Sequence, residues 1–155
     1  MYAVRLWAVR HAGFWERFWH GFEGVLLRTA PLWRKLGHAR LEAPAAALER
    51  QVKGFLFDCR MCGACVLSQT GMSCPMNCPK QMRNGPCGGV RPNGHCEVKP
   101  EMRCVWVQAW EGSRRMAEGD LILAGQPPVD RSREGCSSWL GLLRDKSPEP
   151  SPAQP

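Results

Sequence analysis

No apolar stretch of this 155-residue chain approaches the roughly 20 residues needed to cross a bilayer. The N-terminal segment is rich in apolar residues, but Arg5, Arg10, His11, Glu16 and Arg17 interrupt it, so it lacks the unbroken core of an export signal. The reducing cytoplasm is therefore the expected compartment. A block of one charge is missing as well. Lys and Arg number 21 against 14 Asp and Glu, a formal +7. The excess is dispersed, with nine basic and five acidic residues before residue 59, six and two from 59 to 104, and six and seven thereafter. That dispersal disfavours a nucleic-acid-binding zinc protein. Catalytic signatures are lacking too: no nucleophile beside a base, no phosphate-cradling Gly loop, no carboxylate pair at catalytic spacing. Chemistry on a substrate is not something this chain advertises alone.

What is present is sulfur. Eight of the nine cysteines, Cys59, Cys62, Cys65, Cys74, Cys78, Cys87, Cys96 and Cys104, fall within one stretch, with Pro, Gly or Asn directly beside Cys62, Cys74, Cys78 and Cys87. Three cysteines at successive three-residue intervals, Cys59-x2-Cys62-x2-Cys65, can direct three thiolates at one compact inorganic body. A later Cys-Pro is how many iron–sulfur proteins complete such a set. Gly lets backbone N–H groups approach anionic sulfur, and Pro fixes a turn without adding a donor. Eight ligands suit two four-ligand sites: one or two [4Fe-4S] clusters, or one cluster and one zinc. Zinc remains a rival, because a tetrathiolate site accepts either metal. Charge does not separate them, since two tetrathiolate sites of either kind carry about −2 each and cancel the local basic excess. Four disulfides would need an oxidising compartment. The leaning is toward Cys59, Cys62 and Cys65 in one site, joined by a Cys-Pro cysteine, with the later ones in another. Cys136 reads as a free thiol. His95, beside Cys96, reads as a turn histidine rather than a ligand.

The expected fold class is a small, mainly α, metal-stapled protein. Residues 1–58 form a helical arm, 59–104 an irregular Cys-rich metal-binding centre running into a helix over 100–118, 119–144 an extended segment, and 145–155 a disordered tail. Within the arm, Val4, Trp7, Phe14, Trp15, Phe18, Trp19, Phe22, Val25 and Leu26 keep a helical period over 4–27 and predict one broad aromatic face. That face packs on the chain or on a partner subunit, with a membrane-surface helix as the alternative. Pro31 opens a short second helix closed by Gly37. Pro44 opens a third, whose apolar stripe is Ala45, Leu48, Val52, Phe55 and Leu56. Turn signals then dominate to Lys99, so metal must supply constraint that apolar burial does not. Pro100 starts the last strong helix, with Cys104 on its first turn, and Ser137 to Leu143 form a brief helical turn around Trp139.

The strings CRMCGACVLSQTGMSCPMNCPKQMRNGPCGGV, HCEVKP and CVWVQAW resemble the small cysteine-rich subunit that partners the catalytic subunit of methylenetetrahydrofolate reductase in two-subunit enzymes, a module also found as a C-terminal domain of related reductases. The similarity is strongest over 55–110. It implies a division of labour in which a (β/α)8 barrel partner holds flavin and folate and performs hydride transfer. The small subunit is implied to bind metal and pass electrons toward that flavin, fed by ferredoxin or another electron-donor protein. Redox-inert zinc would make it a structural adaptor of the same complex. The resemblance carries the eight cysteines over as ligands and assigns flavin to the partner alone. Lys80, Arg83 and Asn84 match the motif and are expected to contact the partner or an acidic electron donor.

Overall fold

The structure, a computed structural model, describes residues 2–146. It is mainly helical, and among the described residues no β-strand forms, only two isolated antiparallel bridges, Val90 with Cys96 and His95 with Arg103. The N-terminal arm comprises α1 (Tyr2–Arg10), α2 (Ala12–Arg28), α3 (Ala30–Leu36) and α4 (His38–Phe57). The expected continuous helix over 4–27 is therefore two. The chain breaks at His11, whose φ of −106° leaves the helical range, and Ala8 and Ala12 on either side are fully buried. Small side chains at that corner let α1 lie on α4 and on α5 (Val105–Ser113).

Pro31 sits in the first turn of α3 as expected, and Gly37, at φ +84°, ends α3 and admits α4. Helix α4 starts at His38 rather than at Pro44, which lies inside it. Pro44 therefore marks neither end of the element. At the other end Asp58 takes the left-handed conformation, with its N–H on the Gly54 carbonyl (3.1 Å) and the Cys59 N–H on Lys53 (3.2 Å). This Schellman closure turns the chain straight into Cys59.

The buried face of α4 is the largest departure from the apolar stripe. Leu48, Val52 and Phe55 are 56, 41 and 58 % exposed, while Ala46, Glu49, Lys53 and Phe57 face inward. Two ionisable groups can be buried because they neutralise each other: Lys53 Nζ donates to Glu49 Oε1 at 2.8 Å. Ser137 and Ser138, at the start of α6 (Ser138–Lys146), donate their hydroxyls to Glu49 at 2.7 and 2.5 Å. Burial alone would raise the Glu49 carboxyl. The Lys53 ammonium and the two serine hydroxyls outweigh it and hold Glu49 below the usual carboxylate range.

Helix α5 begins at Val105 and ends at Ser113, inside the expected 100–118. Residues 99–102 close a turn instead, the Met102 N–H on the Lys99 carbonyl at 2.9 Å, which leaves Cys104 as the residue capping α5. The segment after α5 is less extended than expected. It holds short 3-10 turns at Gly119–Leu123 and Arg131–Arg133, and α6 reaches Lys146. Asp145 and Lys146 are thus helical, and the rest of the tail expected to be disordered lies outside the described residues. No helix among the described residues is long and apolar enough to cross a membrane.

Three apolar clusters anchor the assembly. One joins Ala8, Ala12, Phe57, Leu67, Met72 and Cys74. A second joins Leu26, Ala30, Leu140 and Leu143, and a third gathers Cys104, Trp106 and Ala109. The cysteine loop lies directly on α5 where two glycines meet: a Cβ on Gly71 (φ +59°) would overlap the Ala109 carbonyl, and one on Gly112 would overlap the Gly71 carbonyl. Ser73 Oγ donates to the Val105 carbonyl at 3.0 Å beside that contact.

Two stability measurements follow from this packing. Glu49→Ala strands the Lys53 ammonium and is expected to cost about 3–5 kcal/mol in denaturant unfolding, whereas the Glu49→Leu, Lys53→Met double variant recovers most of that loss. Gly71→Ala combines a left-handed backbone with a clash and is expected to cost more than about 2 kcal/mol, while Gly24→Ala, in open space, is neutral or slightly stabilising.

Candidate metal centre

Cys59 leaves α4 through the left-handed Asp58, and Met61 (φ +50°) turns the chain back so that its N–H donates to Cys59 Sγ at 3.3 Å. Gly63 (φ +69°) then lies against the Arg133 carbonyl, where any Cβ would collide. The Gly135 N–H donates to the Met61 carbonyl at 2.8 Å. The C-terminal segment thereby holds the Cys59–Cys65 turn from outside. Farther along, Thr70 Oγ1 bonds the carbonyls of Val66 and Ser73 (2.9 and 3.0 Å), closing the loop that returns Cys74 to the interior.

The result is that Cys59, Cys62, Cys65 and Cys74 line one narrow cavity of about 20 Å³, together with Glu49, Lys53 and Arg83. Of the two Cys-Pro cysteines, the structure brings Cys74 to the triplet. Cys74 is buried, Cys59 and Cys62 are half-buried, and Cys65 is exposed. Burial pushes the Cys59 thiol up to about 11 and the Cys74 thiol up to about 12, so metal must displace protons to bind there. Burial works to lower the Lys53 ammonium, but Cys65, Glu49 and the Glu49 hydrogen bond outweigh it and raise its pKa. Arg83 is buried as well. Its Nε donates to the Pro127 carbonyl at 3.0 Å and its Nη2 to the Ala64 carbonyl at 2.9 Å, while Nη1 has no partner. The donor set fits a thiophilic metal group: four thiols converge, the buried charges beside them include an uncompensated cation, and an orphaned donor accompanies them.

The later cysteines are arranged differently. The Cys96 N–H donates to the Met102 carbonyl and the Cys104 N–H to the Gly94 carbonyl, both at 2.9 Å, so these two buried residues lie on adjoining turns. Cys87 Sγ stands 3.7 Å from Glu97 Oε1, beside the Lys80–Glu97 ion pair. Cys78 follows the 3-10 turn Pro75–Asn77, its N–H on the Pro75 carbonyl at 3.0 Å. Backbone pairing links the Cys96 and Cys104 turns, Cys87 reaches them through Glu97, and Cys78 lies on the separate Cys-Pro turn. Among the described residues no three cysteine sulfurs lie within 4.8 Å of one another. All nine cysteines are free. Cys136 stands apart, tied through its N–H to the Arg133 carbonyl, and His95 Nδ1 donates to the Pro100 carbonyl at 2.7 Å.

The expected partner contact is overturned at one position of the RNGPCGG motif: Arg83 is inside the protein rather than on its surface. Asn84 is exposed and also holds Gln126, donating to its carbonyl at 3.0 Å and accepting its N–H at 2.5 Å. Both fasten the C-terminal segment onto the cysteine loop. Lys80 does remain at the surface, paired with Glu97. The Glu49–Lys53 pair escaped sequence reasoning because an i,i+4 Glu–Lys pair ordinarily marks a solvated helix face. A Glu16, His20 and Glu118 grouping also went unread. There, both Glu16 oxygens accept backbone N–H groups of Ala117 and Glu118 (2.7 and 2.8 Å), which cap the turn after α5.

Beside the cysteine cavity runs an apolar groove of about 270 Å³, walled by Trp15, Phe18, Trp19, Phe22 and Trp139. Lys53, Cys65 and Leu67 line both spaces. The aromatic face expected of the N-terminal arm is therefore split. Trp15 stacks edge-on against Phe57, and Phe22 against Trp139, while Phe14 and Phe18 stay exposed.

No curated protein and no solved structure matches the chain. A family model described as methylene-tetrahydrofolate reductase C terminal matches residues 38–132. That span runs from the first residue of α4 past Pro127 and contains all eight cysteines of the central stretch, α5, and both backbone acceptors of Arg83. Covering more than half of the sequence, the match makes this chain a member of the methylene-tetrahydrofolate reductase C-terminal family.

Proposed function

We propose that this protein is the electron-transferring accessory subunit, or an equivalent domain, of a methylenetetrahydrofolate reductase, and that it works beside a flavin-containing (β/α)8 barrel. Cys59, Cys62, Cys65 and Cys74 hold a [4Fe-4S] cluster. Cys78, Cys87, Cys96 and Cys104 are the ligands of a second site, for another cluster or a zinc ion. The observation that carries the reading is the meeting of four cysteines at one cavity whose single exposed member, Cys65, also lines an aromatic groove. When bound, such a cluster supplies one-electron exchange, which a flavin can collect in pairs for hydride chemistry.

A cluster is preferred to zinc at this site on the ligand pattern: Cys59-x2-Cys62-x2-Cys65 completed by a Cys-Pro cysteine is a set iron–sulfur proteins use, whereas structural zinc more often takes its ligands as two separate pairs. The chain's own residues do the rest. Cys74 holds the inner side against the core, the Met61 N–H bonds the Cys59 sulfur, and Cys65 faces out. Trp15, Phe18, Trp19 and Phe22 present an apolar surface of the kind that anchors interfaces, which makes the groove our candidate docking face for the flavin subunit. The electron donor is a ferredoxin or a similar carrier, and a reducing cytoplasm keeps the thiols available for metal.

Purification without oxygen tests the assignment. The protein is expected to be brown and to contain iron and acid-labile sulfide in equal amounts. Cys74→Ser and Cys62→Ser each lose the iron of one site, and Cys136→Ser retains it all. A colourless protein with stoichiometric zinc would remove the electron-carrier role and leave a structural adaptor. The docking face is tested separately by calorimetric titration with the barrel subunit. Phe18→Ala is expected to weaken binding by about 30-fold, as loss of a hot spot of about 2 kcal/mol does. Leu123→Ala, more exposed still but in a different groove, leaves affinity unchanged. Both variants keep the native unfolding midpoint.

A further inference from the structure

Charges around the cysteine cavity do not balance. Lys53 is matched by Glu49 at 2.8 Å. Arg83, only 9 % exposed, has no such match, for among the described residues no carboxylate pairs with it. Its two hydrogen bonds go to backbone carbonyls, Pro127 and Ala64, which satisfy N–H groups without cancelling a full charge. Nη1 is buried with no acceptor. A buried guanidinium in that condition is costly unless an anion accompanies it, and Arg83 lines the cavity of Cys59, Cys62, Cys65 and Cys74. The link to sulfur is short. The Ala64 carbonyl that accepts Arg83 Nη2 at 2.9 Å also accepts Cys62 Sγ at 3.6 Å, so guanidinium and thiol share one acceptor.

We propose that Arg83 sets the reduction potential of the metal group held by these four cysteines. Its uncompensated charge, with Nη1 unpartnered, belongs to the lining of the cavity that would hold an anionic thiolate-bound centre. Reduction adds one electron and one unit of negative charge to that centre. A fixed cation at this position stabilises the reduced form more than the oxidised one and raises the potential, by the same hydrogen-bond and charge effects on sulfur that tune iron–sulfur centres generally. Lys53 contributes less, because Glu49 offsets it. The proposal rests on the cluster assignment above but adds a named residue with a measurable effect of its own.

The test is a dithionite titration, followed by electron paramagnetic resonance, of the anaerobically purified native protein and the variants Arg83→Gln, Arg83→Lys and Asn84→Ala. Asn84→Ala serves as the structural control, since it cuts the neighbouring tie to Gln126 without altering charge at the cavity. The expected result is a loss of at least tenfold in the reduction equilibrium constant for Arg83→Gln, about 59 mV toward more negative potential for a one-electron couple. Arg83→Lys should fall between native and Arg83→Gln, and Asn84→Ala should match native. An unchanged potential in Arg83→Gln overturns the proposal while leaving the cluster assignment standing. So does an equal shift in Asn84→Ala, which would trace the effect to loosened packing. If Arg83→Gln takes up no iron, Arg83→Lys decides: a negative shift absent from Asn84→Ala supports the role, and a native value overturns it. A native protein without iron removes both the proposal and the reading beneath it.

Discussion

The Glu49 carboxylate is the point through which distant parts of this chain are tied together. It accepts from Lys53 one turn along α4 and from the hydroxyls of Ser137 and Ser138, nearly 90 residues later, and it lines the cavity of the four cysteines. A carboxylate in that setting carries a large desolvation cost, which only a full set of hydrogen bonds and an adjacent ammonium can offset. Because the set includes α6, the C-terminal segment must dock before the inward face of α4 is complete. The helical arm and the C-terminal residues are therefore parts of one packing arrangement, with the cysteine loop enclosed between them.

That loop has few apolar side chains, and it is shaped largely by backbone contacts. Gly71 and Gly112 bring it onto α5, Gly63 brings it under the Arg133 carbonyl, and Arg83 and Asn84 pin it to residues 126 and 127. Each contact uses either a missing Cβ or a side chain that bonds backbone carbonyls. Such contacts constrain position without much buried area, so they hold four thiols near one another while leaving room for metal ligation to add the remaining stability.

The electrostatics of the cavity follow from the same enclosure. Burial keeps Cys59 and Cys74 as neutral thiols in the metal-free chain, and it leaves the Arg83 charge without a carboxylate. The proposed thiolate ligation of a metal group would remove both mismatches at once, turning unfavourable neighbours into a compensated set. The chain belongs to the methylene-tetrahydrofolate reductase C-terminal family, and the one-electron delivery proposed for it would use the groove that opens at Cys65.

Much of the plan was legible from residue order alone. The density of cysteine beside Pro and Gly marked the centre, helical periodicity marked the arm, and Pro31 with Gly37 bounded α3 as they stand in the structure. The short helix around Trp139 was legible too, and so was the family, from the strings between Cys59 and Trp110. Periodicity served α4 only in part: Ala45 and Leu56 of its apolar stripe pack on the core clusters, while Leu48, Val52 and Phe55 are exposed. It could not register that Glu49 and Lys53 cancel each other's charge, a property of two side chains and two serines far along the chain. Which Cys-Pro cysteine joins the triplet was likewise settled by tertiary contacts. Cys74 and Cys78 are alike in their neighbours, and only the packing of Cys74 against Ala8, Ala12 and Phe57 turns one of them inward. Local chemistry in the sequence determined which atoms were available to bind metal; long-range burial decided which of them meet, because convergence depends on what covers a side chain rather than on what lies next to it.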